Sequence, residues 1–195
     1  MARVTYLDTS DPDAGALLSA IRERIEATAG AKMGDARVPN SLAALGHSPR
    51  LLEIQMQLLD ALWNGTTLDR SLQELVILRV AQVRNSDYEW GRHVRTARLI
   101  GVPESKIEAL ERFGESQDLT DGERAAVGLA DVLARDGDAP QDAIDAVREH
   151  FSERQLVELT QLTGAYVMFA IFLKGLRIDQ EPDDPRLPAP GPTAG

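Results

Sequence analysis

Between Asp69 and Val83 the chain carries Leu72, Leu75, Val76, Ile77, Leu78, Val80, Ala81 and Val83. A helix built from these residues is hydrophobic almost all the way round. A surface helix needs only one apolar stripe, so a helix without a polar face belongs at the centre of a molecule or in a subunit interface. After Asp69 at its start, the segment contains a single acid, Glu74. Taking a carboxyl out of water disfavours its charged form, which is how proteins make general acids and bases that work near neutral pH. The plainer alternative is structural, with Glu74 capping backbone groups or pairing with Arg70 or Arg79.

The remaining segments are arranged as neighbours for this central helix. Asp11-Pro12 reads as an N-cap followed by proline at the first helical position, opening a helix to about residue 29. Gly30 to Asn40 reads as a connector, and SLAALG as one or two helical turns. Ser48-Pro49 opens a helix that Asn64-Gly65 stops. Asn85, Ser86 and Asp87 are all good N-cap types, and the helix after them should end at Gly101. A shorter helix follows from Pro103 to Phe113. Thr120-Asp-Gly-Glu123 and Ser152-Glu-Arg-Gln155 are capping boxes, each opening a helix, with another from Pro140 to His150 between them. No segment alternates with the period of a strand. The expected fold is all-α, one domain of seven or eight helices. Its bounds are an extended, loosely held arm at 1–10, a helical domain at 11–178, and a proline-rich acidic tail at 179–195 too polar to pack a core.

Composition removes several functions. Lys and Arg total 21 against 31 Asp and Glu, a formal net charge of −10. Nucleic acid and anionic membrane both call for a basic surface, so neither is an expected partner. There is no cysteine, which removes disulfides, thiolate metal ligands and thiol redox catalysis. The first fifteen residues lack the basic-then-apolar pattern of a signal peptide. The longest apolar run, Gly164 to Leu173, is too short to span a bilayer. A cytoplasmic location is expected.

The second concentration of chemistry follows the central helix. Glu89 and His93 stand four residues apart and share a helical face, where a carboxylate can orient an imidazole. Only three histidines exist, and His47 and His150 sit in unrelated contexts, so no metal site is expected. Tyr88 and Trp90 offer a polar hydroxyl and a flat apolar wall, and Ser86 a further hydroxyl. Arg79 is a candidate for holding a substrate carboxylate by a bidentate fork. Tyr166, Met168, Phe169 and Phe172 form a stripe read as core or subunit contact. No phosphate-cradling loop, dinucleotide fingerprint or nucleophile elbow is present.

The stretch ELVILRVAQVRNSDYEWGRHVRTARLIGVPESKIEAL resembles the carboxymuconolactone decarboxylase family, which includes the alkyl hydroperoxidase D-like proteins. LTDGERAAVGLADVLARDGDAP and HFSERQLVELTQLTGAYVMFAIFLKGL extend the resemblance over roughly residues 40 to 178. It implies an all-α fold and assembly into homo-oligomers. The peroxidase branch carries a glutamate, a Cys-x-x-Cys pair and a histidine four positions beyond it. By spacing, Glu74 and His93 match the glutamate and histidine, while Ser86 and Glu89 stand where the cysteines would be. A thiol peroxidase cycle is therefore excluded.

The expected function is cofactor-independent general acid/base chemistry on a small organic acid, lactone or carbonyl compound, with decarboxylation favoured. Glu74 and His93 would move protons, Glu89 would orient His93, and Ser86, Tyr88, Trp90 and Arg79 would shape the substrate site. The expected partners are a small-molecule substrate and further copies of the chain, as dimer, trimer or hexamer. The alternative is a non-catalytic helical oligomer that binds a small ligand or a protein.

Overall fold

The computed structural model describes residues 1–29 and 38–182, with the side chains of 24–29 left out. Among these residues nine α-helices occur and no strand, two or one more helix than the sequence pattern suggests. They are α1 (Gly15–Ala29), α2 (Asn40–Leu45), α3 (Pro49–Asn64), α4 (Arg70–Arg84), α5 (Asp87–Leu99), α6 (Glu104–Ala109), α7 (Asp121–Asp136), α8 (Gln141–Arg148) and α9 (Glu153–Leu176), with a 3₁₀ turn at Leu110–Arg112. Most of the connector at 30–40, and the tail from 183 onward, lie outside the described residues.

Helix α4 is the expected central element. It packs against α5, α7 and α9. Leu72, Val76, Ile77 and Val80 join Leu129, Ala130, Leu159, Leu162 and Tyr166 in one cluster. Leu75, Leu78 and Ala81 join Trp90, Val94, Ala97, Leu110 and Val127 in another. The helix has apolar residues all round because it has a core on each side. Burying each of the larger side chains contributes about 1.5–3 kcal/mol.

The helix ends follow local chemistry. Asp69 caps α4 by accepting from Ser71 N at 2.8 Å, and both expected capping boxes form, Thr120 with Glu123 and Ser152 with Gln155. Gly101 stops α5 with a φ of 85°, a left-handed conformation that costs glycine little. Asn85 does the same for α4 with φ 50° and ψ 54°. That turn brings Ser86 N onto Ala81 O at 2.8 Å and sends α5 back along α4.

Two expectations about the termini need correction. The N-terminal arm is not loosely held: Arg3 N donates to Leu176 O at 2.8 Å, Leu7 N to Ala43 O at 3.2 Å, and Tyr6 Oη to Asp179 at 3.0 Å. The polar segment after 178 is anchored at its start as well, because Glu181 accepts from Asn40 N at 2.7 Å. Backbone donors and acceptors at one end satisfy those at the other, which single-segment patterns cannot reveal.

Helix α9 is also longer and more apolar than its densest run suggests. It runs 24 residues, and with an 18-residue stretch of mean hydropathy 1.6 it is long and apolar enough to cross a membrane by length and composition alone. Leu159, Leu162, Thr163, Ala165, Tyr166, Ala170 and Leu173 are buried, which makes α9 the second core helix.

Arg79 is where the pattern and the fold part company. Its guanidinium donates twice to Asp131 of α7, at 2.6 and 2.9 Å, and once to Leu110 O at 2.8 Å. It also stacks 4.9 Å above the Phe113 ring. These bonds use its fork to tie α4 to α7 and the 3₁₀ turn, so Arg79 is not a substrate-binding arginine. Asp131→Ala is predicted to lower unfolding free energy by about 3 kcal/mol, since it strands a nearly buried cation. A guanidinium melt with an unchanged midpoint would count against this role.

Candidate active site

Four elements converge around Glu74. From α4, Glu74 is fully buried at 0% exposure. From α5, His93 Nδ1 lies 2.7 Å from Glu74 Oε2. One turn before Glu74 on α4, Arg70 Nη2 lies 2.9 Å from Oε1, an ion pair at an angle outside hydrogen-bond geometry. From α9, the Tyr166 ring stands edge-on to the His93 imidazole, centroids 5.0 Å apart at 83°. From α3, Trp63 Nε1 donates to Tyr166 Oη at 3.0 Å, and Arg70 lies 5.4 Å over the Trp63 ring. Gln73, itself buried, accepts from Arg70 Nη1 at 2.7 Å and holds the guanidinium in place.

The expected proton-transfer pair is thus in contact, but the expected orienter is not. Glu89 is the residue expected to hold His93, and neither of its carboxyl oxygens makes a hydrogen bond of regular geometry. Glu74 does the holding instead. Spacing of four places two residues on one helical face, but the partner across the α4–α5 contact lies nearer the ring nitrogen. With Nδ1 donating to Glu74, the ring keeps its lone pair on Nε2, the atom available to take or give a proton. The His93 side chain is 13% exposed, so the cluster meets solvent at His93 and Arg70.

Glu89 lies 2% exposed beside this dyad, its pKa pushed up to about 8. Burial is the largest cause, while a loose side-chain contact with Ser86 and the charge of Arg84 pull the other way. Ser86 is equally buried, and its Oγ makes no hydrogen bond of regular geometry. Tyr166 is also held up by burial, reinforced by the negative charge of Glu74 and Glu89.

The other expected substrate-site residues are placed elsewhere. Tyr88 points to the chain termini, with its hydroxyl 3.1 Å from Ser41 Oγ and 3.0 Å from Glu181. Burial raises its pKa well above the ordinary phenol range. Trp90, two positions on and so roughly on the opposite side of α5, fills the core beside Leu75, Leu78 and Val94. Both are structural. Arg70 is the structural partner that the sequence offered for Glu74, while Tyr166 and Trp63 are members that the pattern read as packing. The i,i+4 spacing of Arg70 and Glu74 was the one usable signal. Among the described residues no three His, Asp or Glu side chains are grouped as a metal site. Surface hollows of about 560 Å³ beside Thr120 and His150, and about 340 Å³ beside Glu108 and Arg112, share no residue with the cluster.

Residues 49–132, a span holding Glu74, Ser86, Glu89 and His93, match the profile of the carboxymuconolactone decarboxylase family. The chain is 27% identical over 114 residues to the uncharacterised protein YdfG of Bacillus subtilis (strain 168), covering 57% of this chain and 77% of that one. Its fold matches a protein of unknown function from Agrobacterium tumefaciens, described as a candidate AhpD antioxidant-defence protein, with a TM-score of 0.66 and 26% identity over 69% of this chain and 93% of that one. It also matches a cysteine-to-alanine variant of the debrominase Bmp8 in complex with 2,3,4-tribromopyrrole, with a TM-score of 0.79 and 15% identity over 94% of this chain and 95% of that one. The second likeness is one of fold alone.

Proposed function

We propose that the chain is an enzyme that moves protons by general acid/base catalysis on a small organic acid, lactone or carbonyl compound, with decarboxylation the favoured reaction. The observation that carries this reading is the 2.7 Å contact between His93 Nδ1 and the buried Glu74 carboxyl. An imidazole fixed in this way has one defined tautomer and presents Nε2 to a reacting atom. With no cysteine in the chain, the thiol route is closed and this chemistry needs no bound cofactor. His93 exchanges the proton, Glu74 orients it, Arg70 balances the Glu74 charge, and Tyr166 walls the ring. A homo-oligomer in the cytoplasm is part of the proposal. The apolar side chains of Leu51, Ile54, Val157, Met168 and Ile171, exposed in the single chain, support the assembly.

A second reading draws on how closed the cluster is. Glu74, Glu89 and Ser86 are all buried, and the surface hollows lie elsewhere. A non-catalytic helical oligomer that binds a ligand or protein partner would also look like this. One experiment separates the two. A panel of lactones and β-keto acids is screened for ring opening or carbon dioxide release, and His93→Ala is compared with the parent protein. Loss of at least about tenfold in turnover, with the helical spectrum unchanged, is predicted for the catalytic reading. No turnover on the panel favours the second reading, and unchanged turnover in the variant removes His93 from the mechanism.

A further inference from the structure

Three helices in this chain begin with a Ser or Thr followed three residues later by Glu or Gln. In two of them, Thr120 with Glu123 and Ser152 with Gln155, the side chains and backbone donors satisfy each other. The third, Ser86 with Glu89 at the start of α5, forms neither bond. Ser86 makes no side-chain cap contact, and Ser86 Oγ and both Glu89 oxygens are buried with no hydrogen bond of regular geometry, the two residues meeting only in a loose side-chain contact. The cause is the tight turn before it. Ser86 N already donates to Ala81 O, closing α4 behind left-handed Asn85, so Glu89 has no free N-cap donor to reach back to. The pair is consequently left inside the protein, at the start of the helix that carries His93. Glu89 sits one helical turn before His93, and Tyr166 on α9 is within electrostatic reach of both Glu74 and Glu89. Buried polar atoms are almost always paired, and the exceptions in native structures call for a functional account.

We propose that Ser86 and Glu89 are the oxygen-binding half of the site, the Ser86 hydroxyl and the Glu89 carboxylic acid donating hydrogen bonds to a substrate carbonyl oxygen on which negative charge develops. This rests on the acid/base reading and narrows its substrates to carbonyl compounds that react through an enolate, such as β-keto acids and lactone acids with a carboxylate β to a carbonyl. In the step, the bond between the α carbon and the carboxylate breaks and carbon dioxide leaves. The electron pair forms a carbon–carbon double bond while the carbonyl π pair moves onto oxygen. The enolate oxygen is held by Ser86 and Glu89, which keep their protons. His93, protonated at Nε2, then gives that proton to the α carbon as the carbonyl reforms, and solvent reprotonates the ring. One proton has replaced one carboxyl group, and no oxidant or reductant is needed. Burial supports the donor role, because a carboxyl pushed up to about 8 keeps its proton at neutral pH. The ionisable groups that act on it are Arg84 from α4 and Tyr166 from α9.

The test uses 4-nitrophenol as a probe, since its phenolate places a partly delocalised anionic oxygen where the enolate oxygen would sit. Binding to the full chain is followed by the change in phenolate absorbance. The parent protein is expected to bind the phenolate, and Glu89→Leu to bind it at least about tenfold more weakly, the scale of a hydrogen bond to a charged group. Ser86→Ala is expected to weaken it about threefold or more, and carries the comparison should Glu89→Leu fail to fold. Parent affinity should fall as pH rises past 8, when Glu89 itself becomes anionic. Equal affinity in parent and variants, or no binding by the parent, overturns the proposal. His93→Ala should still bind the probe. Probe binding that survives in this variant, together with β-keto acid turnover that does not depend on His93, would leave the oxygen site standing and bring down the acid/base reading instead.

Discussion

Glu89→Gln is expected to stabilise the protein, by an amount that grows as pH rises from about 5 to 8. Glu89 is 2% exposed, makes no hydrogen bond of regular geometry, and has its pKa raised from 4.5 to about 8 by burial. The folded state therefore binds this proton more tightly than the unfolded state does. Between those two pH values the unfolded chain has released the proton and the folded chain still holds it, so stability declines with rising pH. The contribution is whole below about 4.5, falls through the window, and is gone above 8. At about 1.4 kcal/mol per unit, the loss has a ceiling of roughly 4–5 kcal/mol. Carboxylates with depressed values act in a different window. Glu104 is held down by its bond from Arg98. In Glu123 burial pushes up, but the bonds from Lys106 and Thr120 outweigh it. Both lose stability only as pH falls below their ordinary range. Glutamine at 89 keeps the shape and cannot titrate. Thermal midpoints of parent and variant should be close at pH 5 and about 10 °C apart at pH 8 for a chain of this length. A difference that stays constant with pH would show that Glu89 ionises as readily folded as unfolded.

The second large effect is at Glu74, and it separates architecture from chemistry. Glu74→Ala removes the partner of Arg70 at 2.9 Å and of His93 at 2.7 Å, and leaves a hole in a fully buried position. Breaking a buried pair from one side costs about 3–5 kcal/mol. Arg70 is 35% exposed and recovers part of its hydration, which places the expected loss near 2–4 kcal/mol. That is a large share of the 5–15 kcal/mol typical of a folded domain. Glu74→Gln keeps the volume and one acceptor, so its denaturant midpoint should move less than half as far. Both variants should lose turnover on any substrate found for the parent, because neither presents a carboxylate to His93. A glutamine variant with full turnover would reduce Glu74 to a structural partner of Arg70.

Much of the fold was legible because its signals are local. The apolar density of 72–83, the cap residues Asp69, Thr120 and Ser152, the stop at Gly101 and the two capping boxes each act within a turn or two of chain. The chain obeys them. Sequence also picked out Glu74, from its place in an apolar helix, and His93, from spacing and family resemblance. What it misassigned depends on contacts between distant segments. The reach of Arg79 to Asp131 spans 52 positions, the Trp63 bond to Tyr166 spans 103, and the tie between Tyr6 and Asp179 spans 173.

The amino-acid sequence by itself determined an all-α chain with a doubly buried central helix, an acid within it, and no thiol for redox chemistry. Tertiary structure decided which residue holds His93, which arginine stands at the site, and that Tyr166 belongs there. It also decided that the Ser86–Glu89 pair is buried rather than forming a capping box. The reason is that helical periodicity specifies the face a side chain occupies, while its partner depends on which helix packs there and at what height.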